Sequence, residues 1–391
     1  MSTVLPRRSR PAGLTVERLD LRRRAERAAF LEAGESAARG VVGRRLPLRH
    51  DAHYLLDPAG SPLHAERPSA CWLVRRGRRV MERMAAYVDG AWDRLHGPGT
   101  GWFGFFACAD DAGGCTLLLD RAARWLRAQG CARVRGPVNL HAEHGAGVLI
   151  AGREPAPPAG TPDDPPWTHG LLEASGLVAA HELRSWAWSL DASEEGVRRL
   201  MERGARVRDR LQVDLRPASM QRLEAELPHG FDLLAAGWGR AVAAAPLDRA
   251  TFDRIVYDLL RVAGCEDLFL FAEHGGVPVG LACAEPDLGP YLPADGRLLP
   301  FGWWRLLRGR AEARAARLRW VAVRPGWEGQ GVEEALLAEV ARRALHRRLG
   351  HLELCGNGSA PDEAALRASG ARVLRRYALY EAPIEQLLIH P

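Results

Sequence analysis

The sequence predicts an α/β (α+β) protein with two consecutive domains of one plan, each a mixed central sheet flanked by helices. At 391 residues the chain is long enough to form two separate cores. Residues 172–176 (LEASG) and 366–370 (LRASG) match, and an aromatic-rich strand pattern follows each, which indicates an internal duplication. We therefore predict a disordered basic tail at 1–13, a first domain at 14–190 and a second domain at 191–391.

The first half of the chain alternates between strand and helix periodicity. Its predicted strands are 15–20, 70–74, 80–88, 102–106, 131–138 and 182–190, of which 70–74 and 80–88 form a hairpin. Its predicted helices are a charged segment ending near residue 31, an amphipathic segment at 115–129 that Gly130 stops, and a short segment at 171–174.

The second half repeats this plan. Its predicted helices are 195–211, 231–238, 251–262, a segment from Val332 to the stop at Gly350, and 362–369. Its predicted strands are 268–273 and 277–284, joined as a hairpin, followed by 318–323, 351–355 and 373–380.

Composition excludes several classes of function. All 54 basic residues are arginine, so lysine-dependent chemistry such as pyridoxal Schiff bases or P-loop phosphoryl transfer is excluded. The net charge of +6 comes from arginines spread along the chain, which favours a basic surface over a nucleic-acid site. The seven cysteines show no CxxC spacing, no zinc-type motif appears, and no apolar run approaches the roughly 20 residues of a membrane span. We expect a cytoplasmic protein without a metal.

One strand–turn–helix–strand stretch carries the clearest functional signal. The apolar run 318–323 is stopped by Arg324-Pro325-Gly326, and Gly329-Gln330-Gly331 forms a tight loop before the helix at Val332. Free amide groups in such a turn hold an anion. Neither the dinucleotide fingerprint nor a P-loop is present.

This stretch resembles the acyl-CoA motif of the GNAT N-acyltransferases in Val323-Arg324-Pro325, Gly329 and Gly331. An ordinary βαβ turn is the alternative. The resemblance implies acyl-CoA as co-substrate, with its thioester carbonyl on a backbone N–H near Val321 and Val323. The pyrophosphate would lie on the amides of Gly329, Gln330, Gly331 and Val332.

Two acidic residues depart from the motif. Glu328 stands where Gln or Arg is usual, and Glu333 stands where Gly or Ala is usual. The corresponding turn of the first half, 110–114 (DDAGG), has two aspartates that would repel a pyrophosphate, so we predict that only the second domain binds CoA.

Over residues 14–384 the chain resembles the bacterial ceramide-synthase-like family of tandem GNAT proteins. The resemblance rests on the segments 101–106, 135–139, 286–287, 296–303, 323–331 and 376–381. It implies transfer of a fatty acyl group from a thioester to an amine, such as a long-chain base. Several polar positions of the family are missing, and Asn357 is the one plausible remnant of a polar run after Glu353. A degenerate protein that binds acyl-CoA or lipid without turnover is therefore the alternative to an N-acyltransferase.

Acyl transfer to an amine requires a base, a polarised carbonyl and an acid for the thiolate. Asp287 is the first candidate base because it also matches the family, with Glu285 and Glu353 as alternatives. Tyr377 or Tyr380 would protonate the thiolate, although tyrosines in a terminal strand are more often packing residues.

The segment 298–310 (LLPFGWWRLLRGR) joins large apolar residues to arginines. Trp303, Trp304, Arg305 and Arg308 either contact the inner face of a membrane peripherally or pack in the domain core. We expect Gly302 and Gly309 to limit this segment to about two helical turns.

Overall fold

The computed structural model describes residues 13–37, 41, 48–191, 193–238, 242–243, 245–293, 295–299, 302–355 and 363–389. Apart from Gly13, the predicted tail lies outside these residues, and so does the candidate Asn357. Among the helices within these ranges, none has the length and hydrophobicity that crossing a membrane requires.

The described strands and helices include every predicted element, most with shifted bounds, and several short elements that the sequence did not predict. The strands are β1 (Leu14–Leu19), β2 (Ser69–Arg76), β3 (Arg79–Val88), β4 (Thr100–Ala107), β5 (Arg133–Gly136), β6 (Val148–Ala151), β7 (Val178–Ser189), β8 (Val213–Pro217), β9 (Phe269–His274), β10 (Val277–Pro286), β11 (Ala315–Val323), β12 (His351–Cys355) and β13 (Arg372–Pro383). The helices are α1 (Arg24–Ala37), α2 (Arg49–Leu55), α3 (Gly90–His96), α4 (Ala112–Ala128), α5 (Thr168–Ala174), α6 (Glu195–Leu211), α7 (Leu223–Trp238), α8 (Arg249–Asp258), α9 (Gly302–Glu312), α10 (Val332–His346), α11 (Glu363–Ala368) and α12 (Ile384–Leu387).

The chain divides into two compact units. Unit 1 comprises Met1–Leu183, Ala294–Arg297 and Arg376–Pro391, and unit 2 comprises Arg184–Pro293 and Leu298–Arg375. The domain bounds derived from the sequence stay a prediction.

Unit 1 contains a mixed sheet in the order β1-β2-β3-β4-β5-β13, with β6 also paired to β13. Its one parallel ladder among the described residues joins β4 to β5. Helix α4 begins at Asp111, whose side chain caps its first turn, and it packs a face with Leu118, Ala122 and Leu126 into the core.

Within unit 2 the strand order is β7-β12-β11-β10-β9-β8, with parallel and antiparallel pairs. Strands β11 and β12 are parallel, and β12 is antiparallel to the 185–189 part of β7. Helix α10 packs on one face of these strands. Gly280 of β10 lies so close to this helix that an added Cβ would be 3.0 Å from Val332 Cγ1. On the other face Trp320 contacts Phe252 of α8, with ring centroids 5.7 Å apart.

The last strand of each sequence repeat completes the sheet of the other. Strand β7, the last strand of the first repeat, pairs with β12. Strand β13, the last strand of the second repeat, pairs with β5. The sequence pattern cannot show this exchange, because the last strands of both repeats contain similar apolar and aromatic residues.

Helix α9 corrects two expectations about the segment 298–310. It spans eleven residues and continues through Gly309, which lies against the ring of Tyr291 where a side chain would not fit. Trp303 and Trp304 are 46% and 59% exposed, so the core-packing alternative is wrong.

Candidate active site

The glycine turn predicted from the sequence joins β11 to α10 in unit 2. It begins where the Arg324 N–H donates to the Val279 carbonyl at 2.8 Å, and Gly331 forms the N-cap of α10 with φ +97°. Glycine is required there because a Cβ would combine this backbone conformation with a 2.9 Å contact to Val207 Cγ2. Since Gly331 has no side chain, it places no capping group over the first amides of α10.

Two acidic residues shape the electrostatics of this turn. Glu328 folds back, and its Oε2 accepts the Gly326 N–H at 2.7 Å. Burial raises the pKa of Glu333, and the charges of Glu328 and Glu334 raise it further. The Gln330 side chain donates to the Gly326 carbonyl at 2.8 Å. The side chains of Glu328 and Gln330 therefore both stabilise the turn.

Strands β11 and β12 stop pairing before β11 ends. Their parallel ladder ends at Leu318 and Leu354, although β11 continues for five residues along β10. The register with β10 skips Arg319, which marks a β-bulge. A bulge bends its strand. Among the described residues β12 does not pair with β11 beyond Leu318, and we call this unpaired side of β11, next to the glycine turn, the wedge of unit 2.

A buried ionic cluster lies beside the bulge. Arg319 donates to Glu285 Oε1 through Nε at 3.0 Å and Nη2 at 2.7 Å, and Arg317 is 3.8 Å from the same oxygen. Next to them, Arg375 Nε donates to Glu353 Oε1 at 2.8 Å, with both side chains 1% exposed.

Both glutamates, which are the alternative candidate bases, accept hydrogen bonds from arginines. Burial by itself raises the pKa of Glu353, but hydrogen bonds with His351 and Arg375 hold it below its ordinary value. Oε1 of Glu285 accepts two hydrogen bonds from Arg319.

The other predicted base lies away from the turn. The Asp287 N–H donates to the Ala315 carbonyl at 2.8 Å, at the start of β11, whereas the turn follows Val323 at its end. Eight residue steps of a strand span about 26 Å. Asp287 accepts the Gly289 N–H at 2.9 Å, so it shapes the loop after β10.

The predicted donor-binding residues share one unit, and the predicted acid lies in the other. Val321, Val323 and Val332 are buried in unit 2, while Gly329 and Gln330 are exposed in the turn. Tyr377 and Tyr380 are buried in unit 1, where Tyr380 bonds His169 and burial raises the pKa of Tyr380. The roles of all these residues stay predictions.

In unit 1, the equivalent wedge is filled by the chain itself. The ladder of β4 and β5 ends at Trp102 and Arg135, and beyond it the Val138 N–H donates to the Phe103 carbonyl at 2.8 Å. The Phe105 N–H donates to Asn139 Oδ1 at 2.6 Å. These contacts use strand groups that would otherwise face a ligand.

Acidic groups also occupy the start of α4, the helix of unit 1 that corresponds to α10. Asp111 Oδ1 accepts the Gly113 N–H at 2.9 Å. Glu82 lies against Gly114, since a Cβ there would be 1.9 Å from a carboxylate oxygen of Glu82. Asp111 therefore caps the start of α4, whereas Gly331 at the start of α10 has no side chain to do so.

Sequence reasoning missed the ionic cluster, although a signal was present. Arg317 and Arg319 interrupt the otherwise apolar stretch 315–323, and a charge in such a strand needs a buried partner. The strand pattern does not identify the partner of a buried charge, because residues of different strands, such as Glu353 and Arg375, meet only in the folded sheet.

Comparison with known proteins agrees with this fold. Residues 233–368, which contain the glycine turn, match the family model of the acetyltransferase (GNAT) family. The structure resembles a tandem GNAT protein from the clavulanic acid biosynthesis pathway, with a TM-score of 0.53 and 14% identity, over 95% of this chain and 98% of that chain. The chain therefore resembles a tandem GNAT protein in fold, and its residues 233–368 match the GNAT family model.

Two curated proteins are similar in sequence. Bacterial ceramide synthase of Caulobacter vibrioides (strain NA1000 / CB15N) is 28% identical over 267 residues, which is 67% of each chain. Protein YghO of Escherichia coli (strain K12) is 26% identical over 325 residues, or 80% of this chain and 82% of that protein.

Proposed function

We propose that the protein is an N-acyltransferase that moves an acyl group from acyl-CoA to an amine. The observation that carries this proposal is the uncapped glycine turn at α10 beside the wedge of β11 and β12. The diphosphate would lie on the amides of the turn, and the acyl-bearing arm would enter the wedge.

The reaction needs few groups from the protein. The neutral amine nitrogen attacks the thioester carbon, and the C–S bond breaks as the C–N bond forms. A base takes one proton from the nitrogen, and the departing thiolate gains a proton. A backbone N–H near Val321 and Val323 would bind the carbonyl oxygen as its negative charge develops.

We infer that the donor is a fatty acyl-CoA and that the acceptor is a long-chain amine, such as a sphingoid base. The similarity to bacterial ceramide synthase supports this substrate class. To test it, the purified protein is incubated with acyl-CoA donors of 2 to 18 carbons and a panel of amines, and free thiol and amide product are followed. Thiol release with no donor would contradict the proposal.

A second candidate function is binding of acyl-CoA without turnover. The engagement of Glu285 and Glu353 by arginines favours it, since neither carboxylate is well placed as a base. Native mass spectrometry with palmitoyl-CoA distinguishes the two, because a binder retains intact thioester whereas an enzyme with its amine releases CoA.

We further propose that α9 contacts the surface of an anionic membrane. Trp303, Trp304 and Leu307 are all at least 45% exposed, and Arg305 and Arg308 are exposed on the same helix. Indole rings suit the headgroup region and guanidinium groups suit lipid phosphate. A surface of this kind would bring a long-chain substrate to the protein.

A further inference from the structure

Helix α6, which precedes the acetyltransferase-like region, packs closely on α10. A Cβ at Gly204 would lie 2.3 Å from the Cβ of Ala338, so the absence of a side chain at Gly204 allows this approach. Arg203 forms an ion pair with Glu334, and Val207 meets Gly331. Because Gly204 meets Ala338 whereas the later residue Val207 meets the earlier residue Gly331, the C-terminal end of α6 lies beside the glycine turn.

This packing brings an arginine to the rim of the turn. Arg210 Nη2 donates to the Gln330 carbonyl at 2.5 Å, and the Arg210 side chain is exposed. A guanidinium has five N–H donors in a fixed fork, so one contact orients the group and leaves donors for a ligand.

A second arginine lies one helical turn earlier on the same face of α6. The Arg206 side chain is 69% exposed, and its contact with Glu202 is 3.9 Å long. Residues four apart on a helix are neighbours, so Arg206 and Arg210 form a pair of cations. Glu328 lies in the glycine turn and Glu333 in the first turn of α10, so a polyanionic ligand there would gain from added positive charge.

We propose that Arg210, assisted by Arg206, binds a phosphate group of the CoA donor at the rim of the turn. This inference rests on the proposed function, because it assigns residues to the same donor site. Guanidinium and phosphate form charge-assisted and often bidentate hydrogen bonds. Helix α6 thereby supplies the positive charge that the acidic turn lacks.

The test compares Arg210→Gln and Arg206→Gln with Arg199→Gln. Arg199 is an exposed arginine of the same helix, pairs with Glu195 and lies 11 residues, or about 16 Å, from Arg210. All three variants change the net charge equally. Calorimetric titration with CoA should show Kd raised about fivefold to tenfold in Arg210→Gln, less in Arg206→Gln, and unchanged in Arg199→Gln. Arg210→Lys should recover part of the loss.

Titration with dephospho-CoA identifies the phosphate. A loss with both ligands assigns Arg210 to the diphosphate, whereas a loss with CoA alone assigns it to the 3′-phosphate. Equal affinity of Arg210→Gln and Arg199→Gln in a wild type that binds CoA would overturn this inference alone. A wild type that binds no CoA would overturn the proposed function and this inference together. If Arg210→Gln lowers Tm, the Kd of Arg206→Gln for CoA, compared with that of Arg199→Gln, decides the result.

Discussion

In unit 1, the Val138 N–H donates to the Phe103 carbonyl at 2.8 Å, so the chain occupies its own wedge. The corresponding wedge in unit 2 lies beside an uncapped helix start. We therefore expect one acyl-CoA for each protein chain. Native mass spectrometry measures this ratio, and a second bound molecule at low micromolar ligand would contradict it.

A negative charge in the glycine turn should weaken donor binding. Gly329 is the suitable position, because its φ is +71° and a Cβ would meet nothing within 4 Å. Asn and Asp tolerate this conformation best among non-glycine residues. Gly329→Asp should bind acyl-CoA at least tenfold more weakly than the isosteric, neutral Gly329→Asn, with both variants folded by circular dichroism.

Gly331 is a poorer position than Gly329 for a substitution that probes donor binding. Its φ of +97° and its contact with Val207 mean that any side chain strains the fold. We expect Gly331→Asp to lower Tm as well as affinity, so it does not separate binding from folding.

Removal of the acidic charge from the turn should strengthen donor binding. Glu328→Gln keeps an acceptor for the Gly326 N–H and loses the charge, so acyl-CoA affinity should rise by about 0.5–1 kcal/mol. Glu328→Ala also loses the hydrogen bond and should gain less. Equal or weaker binding in Glu328→Gln would show that the charge has another purpose.

Glu82 should make the stability of the protein decrease with pH. Burial raises the pKa of its carboxyl to about 9 from an ordinary 4.5. Between these values the unfolded chain releases the proton and the folded chain retains it. The free energy of unfolding therefore falls as pH rises, by at most about 1.4 kcal/mol for each pH unit.

Glu82→Gln removes this titration while it keeps the shape of the side chain. Urea unfolding is measured at pH 5, 7 and 9. The free energy of unfolding of the variant, relative to that of the wild type, should rise with each step in pH. A constant difference between the two proteins across this range would show that Glu82 is ionised in the fold.

Loss of both tryptophans of α9 should weaken membrane binding without unfolding the protein. Trp303→Ala with Trp304→Ala removes exposed rings, so Tm should change little while sedimentation with anionic liposomes decreases. Leu95→Ala, an exposed apolar residue of unit 1, is the control. Unchanged sedimentation of the double variant would contradict the membrane proposal.

The sequence predicts helices and strands well where local pattern determines them. The helix predicted at 195–211 has those bounds in the structure, and the glycine turn lies between the predicted strand and helix. Short elements without strong periodicity, such as α2 and β6, were missed because tertiary packing stabilises them.

The candidate site depends on contacts that no local pattern encodes. Asp287 and Glu285 are two residues apart, yet Glu285 accepts hydrogen bonds from Arg319 while Asp287 accepts the N–H of Gly289. Arg210 approaches Gln330 across 120 positions of sequence because two helices pack closely at Gly204. Periodicity identifies a helix face, but it does not name the partner of that face.

The exchange of last strands has a consequence during protein synthesis. The core of unit 1 includes Ile389, whose N–H donates to Asp120 at 2.8 Å across 269 residues. The ribosome therefore makes unit 1 first and supplies its last strand at the end, after roughly 10–50 s of further elongation. Throughout that time the edge of β5 has no β13 beside it, and an open edge is a template for aggregation. We therefore expect a chaperone to stay bound longest to the N-terminal half of the nascent chain.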